Sequence, residues 1–166
     1  MGSSGASGVK EMFIGSNTEK VVRTAAVPVL IVKNDINHFS IQNMVYACDF
    51  EPESFSAYKH ALKLANEFAA KVHLLFVNTP NNFITTQEAE GNIQQFIAKH
   101  KPENYTLNIY NDITVEQGIL HFSRAIKADA IAMSTHGRKG LAHFFNGSIS
   151  EDLVNHAIRP VITFKI

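Results

Sequence analysis

The chain has little of what would commit it to several large classes of function. Cys48 is its only cysteine, so no disulfide can form within the chain, and such thiol usage fits a reducing cytoplasm. Neither sign of charge predominates. The 15 Lys and Arg balance the 15 Asp and Glu, which removes the electrostatic reason to expect nucleic acid or an anionic membrane surface as a partner. No apolar run approaches a membrane span in length, and the first residues do not show the pattern of a secretory signal. Catalytic signatures are missing too: there is no Ser-His-Asp order, no Walker lysine pattern and no pair of catalytic carboxylates. Eight histidines are many for this length, yet no two have His-x-x-x-His spacing, so scattered histidines are expected rather than a metal site.

What is present is an alternation of short apolar runs with amphipathic segments, in a chain of 166 residues long enough for one full domain. Met44 to Cys48, ending at Asp49, reads as a buried parallel strand. Ser54 to Ala70 has helical spacing, with Tyr58, Ala61, Leu62, Ala65, Phe68 and Ala69 along one face. Val72 to Val77 is the next strand, closed by the turn-rich stretch from Asn78 to Asn82. Thr85 with Glu88 has capping-box spacing at the head of a helix reaching Lys99, although Gly91 weakens it. Tyr105 to Tyr110 alternates and suits a strand nearer a sheet edge. Thr114 with Gln117 caps a third helix whose buried face is Val115, Ile119, Phe122 and Ile126. Ala130 to Met133 is a strand, Ser148 to His156 a helix, and Val161 to Phe164 a last strand. This order predicts a doubly wound parallel α/β sheet, which places ligands beyond the carboxyl ends of its strands.

Between the last two strands lies a glycine-bearing loop, Ser134-Thr-His-Gly137-Arg-Lys-Gly140 and then Asn146-Gly147-Ser148. Glycines allow backbone to approach a ligand closely, and a helix start offers N–H groups and a positive dipole end, a combination suited to phosphate. The pattern occurs twice. Shifting the first 33 residues by 132 positions superposes Met1, Gly5, Gly15, Ser16, Glu19, Val22, Ala25, Pro28, Val29 and Lys33 on identical residues, an internal repeat. Met1 to Gly5 alone has the composition of an added tag, but its register with the later copy argues that most of it is native.

These residues resemble the universal stress protein family, whose nucleotide-binding members carry Gly, two residues, Gly, nine residues, then Gly-Ser or Gly-Thr. Ser134, Gly137, Gly147 and Ser148 occupy those positions, and Gly140 adds a further glycine. The resemblance implies a five-stranded Rossmann-like sheet of the adenine-nucleotide alpha hydrolase type, preceded by an extra helix and strand. Residues 39–166 would be a complete domain and residues 1–38 the C-terminal remnant of a first one, as in a tandem protein. The departure is Ser134 where the pattern has glycine, a residue that the N-terminal copy keeps as Gly2. If that position needs a positive φ or close approach to ribose, serine would weaken nucleotide affinity.

By the same resemblance Ala47, Cys48 and Asp49 would line the adenine side, with Val77 offering backbone hydrogen bonds to the base. Met133 and Ser134 would face the ribose, and Gly137, Gly147, Ser148 and the amide of Ile149 would hold phosphates. Arg138 and Lys139 would add positive charge beside the turn. The implied ligand is ATP, with Mg as a possible companion ion. Simpler readings stand beside these: Asp49 as a strand-end turn residue, Met133 as a core residue, and Ser148 as a helix cap with Glu151. Cys48, inside an apolar strand, is expected to be inert. The implied function is a cytoplasmic nucleotide-binding stress protein without committed catalytic machinery, at most a slow ATPase. The alternative is a dimeric interaction scaffold with a vestigial motif. Since the family pairs last strands at its dimer interface, Val29 to Val32 is expected to pair antiparallel with Val161 to Phe164, from the same chain or a neighbour, in a homodimer.

Overall fold

A buried parallel strand needs apolar residues on both faces, and the stretch around Met44 meets that condition: Met44, Val45, Tyr46 and Ala47 are all buried. The computed structural model describes residues 20–22, 24–33, 38–135, 153–154 and 156–166. Its strands are β1 (Val29–Ile31), β2 (Asn43–Ala47), β3 (Lys71–Asn78), β4 (Tyr105–Asn111), β5 (Ala130–Thr135) and β6 (Val161–Lys165). Its helices are α1 (Phe55–Glu67), α2 (Thr86–Ile97) and α3 (Val115–Ala125), with a 3-10 turn at Pro52–Ser54 leading into α1. The extra helix expected ahead of the first strand and the helix expected over 148–156 lie partly outside the described residues. Their described parts, Lys20–Val22 with Thr24, and Leu153, Val154 and His156, are helical.

The strands form one six-stranded sheet in the order β1-β6-β5-β2-β3-β4. β2 to β6 run parallel, and β1 alone is antiparallel, on β6. After β1 at one edge, the parallel winding begins at the centre with β2, runs out through β3 to the edge strand β4, then crosses back to β5 on the other side of β2 and on to β6. This is the expected doubly wound sheet, and its winding reverses between β2 and β5.

The sheet separates two apolar cores. On one face α1 and α2 pack Ala57, Tyr58, Ala61, Ala65, Ile93, Phe96 and Ile97 against Tyr46, Leu74, Ala130 and Ala132. On the other, Ile119 and Phe122 of α3, with Leu153, Val154 and Ala157, cover Val45, Leu75, Ile131 and Met133. Thr85 and Thr114 cap α2 and α3 by accepting the amides of Glu88 and Gln117, at 3.2 Å each, and each such cap is worth about 1 kcal/mol.

Two local expectations need correction. The first helix does not run to Ala70. It ends at Glu67 with Phe68 as its C-cap, and Ala69 turns left-handed with φ 50, which lets the amide of Ala70 reach the carbonyl of Ala65 at 2.9 Å. Ala69 is therefore exposed and not part of the helix face. Cys48 lies just beyond β2 rather than within it. The expected antiparallel pairing of the first and last strands is present, and it is formed within one chain.

Candidate functional site

Ala47, the last residue of β2, stands in register between Leu75 of β3 and Met133 of β5. The three expected residues Ala47, Cys48 and Asp49 thus leave the sheet at its winding reversal, between the carboxyl ends of its two central neighbours. The amide of Cys48 donates to the carbonyl of Leu75 at 3.3 Å, the last backbone bond from the β2 segment to β3 among the described residues. The odd-numbered residues of β3 bond toward β2, as the amide of Lys71 and the carbonyl of Leu75 do, while Val72 and Asn78 bond toward β4. Val77 continues the odd row two residues past Leu75. Its N–H and C=O therefore point to the β2 side beyond the end of that strand.

The side chains of Ala47, Val77 and Met133 are buried in the α3-side core. Cys48 is buried on the opposite face, and Ser134 is fully buried. What these residues can present at the carboxyl edge is accordingly backbone, and Asp49, half-buried, is the expected residue among them with a more accessible side chain. Its Oδ1 accepts the amide of Glu51 at 3.1 Å and the hydroxyl of Ser54 at 2.9 Å, with the Cys48 thiol at 3.5 Å. No hydrogen bond among the described residues uses Oδ2. Asp49 therefore organises a turn, as the simpler reading has it, and keeps one acceptor oxygen in hand.

The turn is built under strain. Phe50 has φ 60, a left-handed conformation that costs a bulky residue about 1–3 kcal/mol. Its amide donates to Cys48 Sγ at 3.1 Å, and its buried ring meets Phe96 of α2 edge-on, with centroids 5.5 Å apart. Burial, and then the charge of Asp49, push the Cys48 thiol up to about 12, so it stays protonated and a poor nucleophile near neutrality.

Ser134 continues β5 opposite Phe164 and has no positive φ. Serine in place of glycine thus imposes no left-handed strain at this position. Its hydroxyl is buried near those of Tyr46 and the thiol of Cys48, and neither the Ser134 nor the Tyr46 oxygen makes a hydrogen bond of normal geometry. Burial holds the Tyr46 phenol well above its ordinary range.

Gly137, Arg138, Gly147, Ser148 and Ile149, the expected phosphate-side residues, lie outside the described residues, as do Lys139, Gly140 and Glu151. Among the described residues no group of three His, Cys, Asp or Glu is placed to hold a metal ion, and no helix is long and apolar enough to cross a membrane. Sequence reasoning missed Phe50 and Ser54, which shape the Asp49 turn. It also missed a cleft of about 450 Å³ beside Val77, lined by Asn78, Thr79, Pro80, Phe83, Asn111, Asp112 and Ile113. The turn-forming residues after Val77 were its only signal.

The profile described as "Universal stress protein family" matches residues 1–33 and 40–165. Universal stress protein MJ0531 of Methanocaldococcus jannaschii is 28% identical over 151 residues, covering 81% of this chain and 87% of that protein. The crystal structure of a universal stress protein from Archaeoglobus fulgidus superposes with a TM-score of 0.73 at 26% identity, over 99% of this chain and 59% of that one. The present chain therefore spans about three fifths of that relative's length. Two shorter structures share the fold: a universal stress protein in complex with cAMP (TM-score 0.54, 15% identity, 77% of this chain and 98% of that one) and one from Archaeoglobus fulgidus in complex with dAMP (0.53, 16%, 75% and 98%).

Proposed function

This chain belongs to the universal stress protein family, and on that premise we propose that it binds ATP or a related adenine nucleotide at the carboxyl ends of β2, β3 and β5. The observation that carries the reading is the winding reversal between β2 and β5, where the backbone of Ala47 to Asp49 and of Val77 is directed past the last β2–β3 bond. An adenine edge carries donors and acceptors in one plane, which suits the Val77 N–H and C=O and the Asp49 Oδ2. Met133 and Ser134 lead from β5 into the motif, whose Gly137, Gly147, Ser148 and Ile149 amides, with Arg138, would take the phosphates. A Mg ion would accompany a triphosphate there. The cAMP and dAMP complexes of two relatives support the choice of ligand class.

We further read residues 39–166 as a complete family domain and residues 1–38 as the C-terminal remnant of another. The two-part profile match and the internal repeat support that division. In this proposal the protein acts in the cytoplasm, and nucleotide state tunes its assembly during stress. Isothermal titration with ATP, ADP, AMP and cAMP tests it: saturable binding that Gly137→Ala and Ser148→Ala weaken is expected. No heat with any of them at millimolar ligand would refute it.

The second reading, a dimeric interaction scaffold with a vestigial motif, is favoured by one observation. Asp49 Oδ1 is already engaged inside the protein by Glu51 and Ser54. Nucleotide retained through purification would dispose of it.

A further inference from the structure

Two fully buried hydroxyls, those of Tyr46 and Ser134, have no hydrogen-bond partner of normal geometry among the described residues. Buried polar groups are nearly always paired, so both call for an account. The register supplies one. Tyr46 stands beside Ala132 and Ala47 beside Met133, which brings Cys48 and Ser134 level as β2 ends. Side chains alternate between the faces of a sheet. Tyr46, Cys48 and Ala132 face the α1–α2 core, whereas Ala47 and Met133 face the α3 core. Ser134 has the parity of Ala132, so its hydroxyl is turned to the α1–α2 side. There the Tyr46 phenol lies against both that hydroxyl and the Cys48 thiol. The Tyr46 ring is itself packed against Tyr58, with centroids 5.6 Å apart.

Proton accounting gives this row a direction. The Cys48 thiol donates to Asp49 Oδ1 at 3.5 Å, and its sulfur accepts the Phe50 amide at 3.1 Å. With the Tyr46 O–H on Sγ and the Ser134 O–H on the phenol oxygen, every proton points one step nearer the carboxylate. The reverse order would take the thiol proton away from Asp49. It would also strand the Ser134 proton, which has no other acceptor among the described residues. An order that ends on an anion is favoured, because each donor polarises the next.

We infer that the Ser134 hydroxyl, the Tyr46 phenol and the Cys48 thiol form one buried hydrogen-bonded row that ends on Asp49 Oδ1, which makes Ser134 a positioning residue for that carboxylate. The row ties the end of β5 to the end of β2 across the winding reversal. It adds to the hold of Glu51 and Ser54 on Oδ1 and leaves Oδ2 for a ligand. The consequence for ligands rests on the adenine-nucleotide reading above. Loss of the Ser134 hydroxyl should weaken binding several-fold, although the side chain becomes smaller. Were serine only a crowded substitute for glycine, the same change would strengthen binding or leave it alone.

Cys48 is the only thiol of the chain, so its S–H stretch is a single infrared band, and hydrogen bonding lowers its frequency. In the native protein the band should lie below that of a thiol in hydrocarbon solvent; a band at the hydrocarbon position overturns the inference. Tyr46→Phe removes the donor to sulfur and should raise the frequency. Ser134→Ala should raise it less, and the double variant should match Tyr46→Phe, since Ser134 acts through the phenol. A band that neither substitution moves, as a space-filling role for Ser134 would give, overturns the inference, and so do shifts that add. If Tyr46→Phe does not fold, the Ser134→Ala shift alone decides. Titration of the same proteins with AMP reads the consequence. Ser134→Ala and Tyr46→Phe should each lower the affinity, and equal or tighter binding overturns the positioning role. If the native chain binds no AMP, the nucleotide reading fails by itself, and the infrared shifts decide whether the row exists.

Discussion

Gly91 and Gly118 both lie inside helices, α2 and α3, and an alanine at either should have opposite consequences. Each substitution gains about 0.8–1.0 kcal/mol of helix propensity. A Cβ at Gly91 meets nothing within 4 Å. One at Gly118 lands 2.4 Å from Val77 Cγ1, 3.1 Å from Val77 Cγ2 and 3.3 Å from Asp112 Cβ. Carbon atoms rest about 3.5–4.0 Å apart, so the first contact is short by roughly an ångström. Val77 is buried and β-branched, with little freedom at χ1. The helix must lift from β3 instead, and overpacking of this kind costs about 1–3 kcal/mol. Gly91→Ala should therefore stabilise by close to its full propensity gain, and Gly118→Ala should lose that gain and destabilise by up to about 2 kcal/mol. Each kcal/mol moves Tm by about 2–4 °C in a chain of this size, so the two variants should separate clearly in urea and thermal melts. Val77→Ala in the Gly118→Ala background should recover part of the loss, a coupling that a double-mutant cycle reads directly. Equal stability of the two glycine variants would refute the reasoning.

Three further outcomes are expected. His73 lies between Asn43 Oδ1 at 3.1 Å and Thr106 Oγ1 at 2.9 Å, while Asn108 donates to Thr106 Oγ1 at 3.0 Å. That network suits a neutral ring, with Nε2–H donating to Asn43 and the Thr106 hydroxyl donating to Nδ1. Burial, and then Lys71, hold the His73 pKa below 6.5. The unfolded chain therefore takes up this proton first, and its contribution is intact above pH 6.5 and declines as pH falls below it, down to the folded pKa. Urea midpoints measured downward from pH 7.5 should show a loss that His73→Gln reduces. Cys48 should resist alkylation in the native protein and react fully once denaturant is added, because its thiol stays protonated; fast native labelling would contradict the burial argument. Asp129 Oδ2 accepts the amides of Gln42 at 2.9 Å and Asn43 at 2.8 Å at the start of β2. Asp129→Ala should cost about 1–3 kcal/mol, while Asp129→Asn, which keeps an acceptor, should cost less in the same melts.

Much of the fold was legible because its signals are local. β2, β3 and β5 are buried on both faces and so read as apolar runs, interrupted in β3 only by His73, and the caps at Thr85 and Thr114 announce themselves by a hydroxyl three residues ahead of its amide. The strand-end positions of Asp49 and Val77 could be read the same way, since turn residues follow each run. Other features depend on geometry that a sequence does not carry. The direction of the Val77 N–H follows from the phase of its hydrogen bonds along β3. Ala69 and Phe50 adopt positive φ although neither residue type favours it, each held there by its surroundings. The hydroxyl of Ser134 is buried because the pleat of β5 turns it from the edge, whereas the glycine pattern alone suggested a crowded ligand. The closeness of α3 to β3 at Gly118 is likewise a property of two elements together.

Phe50 joins two places that have separate tasks. Its backbone sets the aim of Asp49, and its ring is wedged against α2 at Phe96. A displacement of α2 would withdraw the support that keeps this residue in its costly conformation, and the released backbone would swing the carboxylate with it. The outer helix and the Asp49 turn are thus mechanically joined through one side chain, so a shift of α2 would move that carboxylate without touching it.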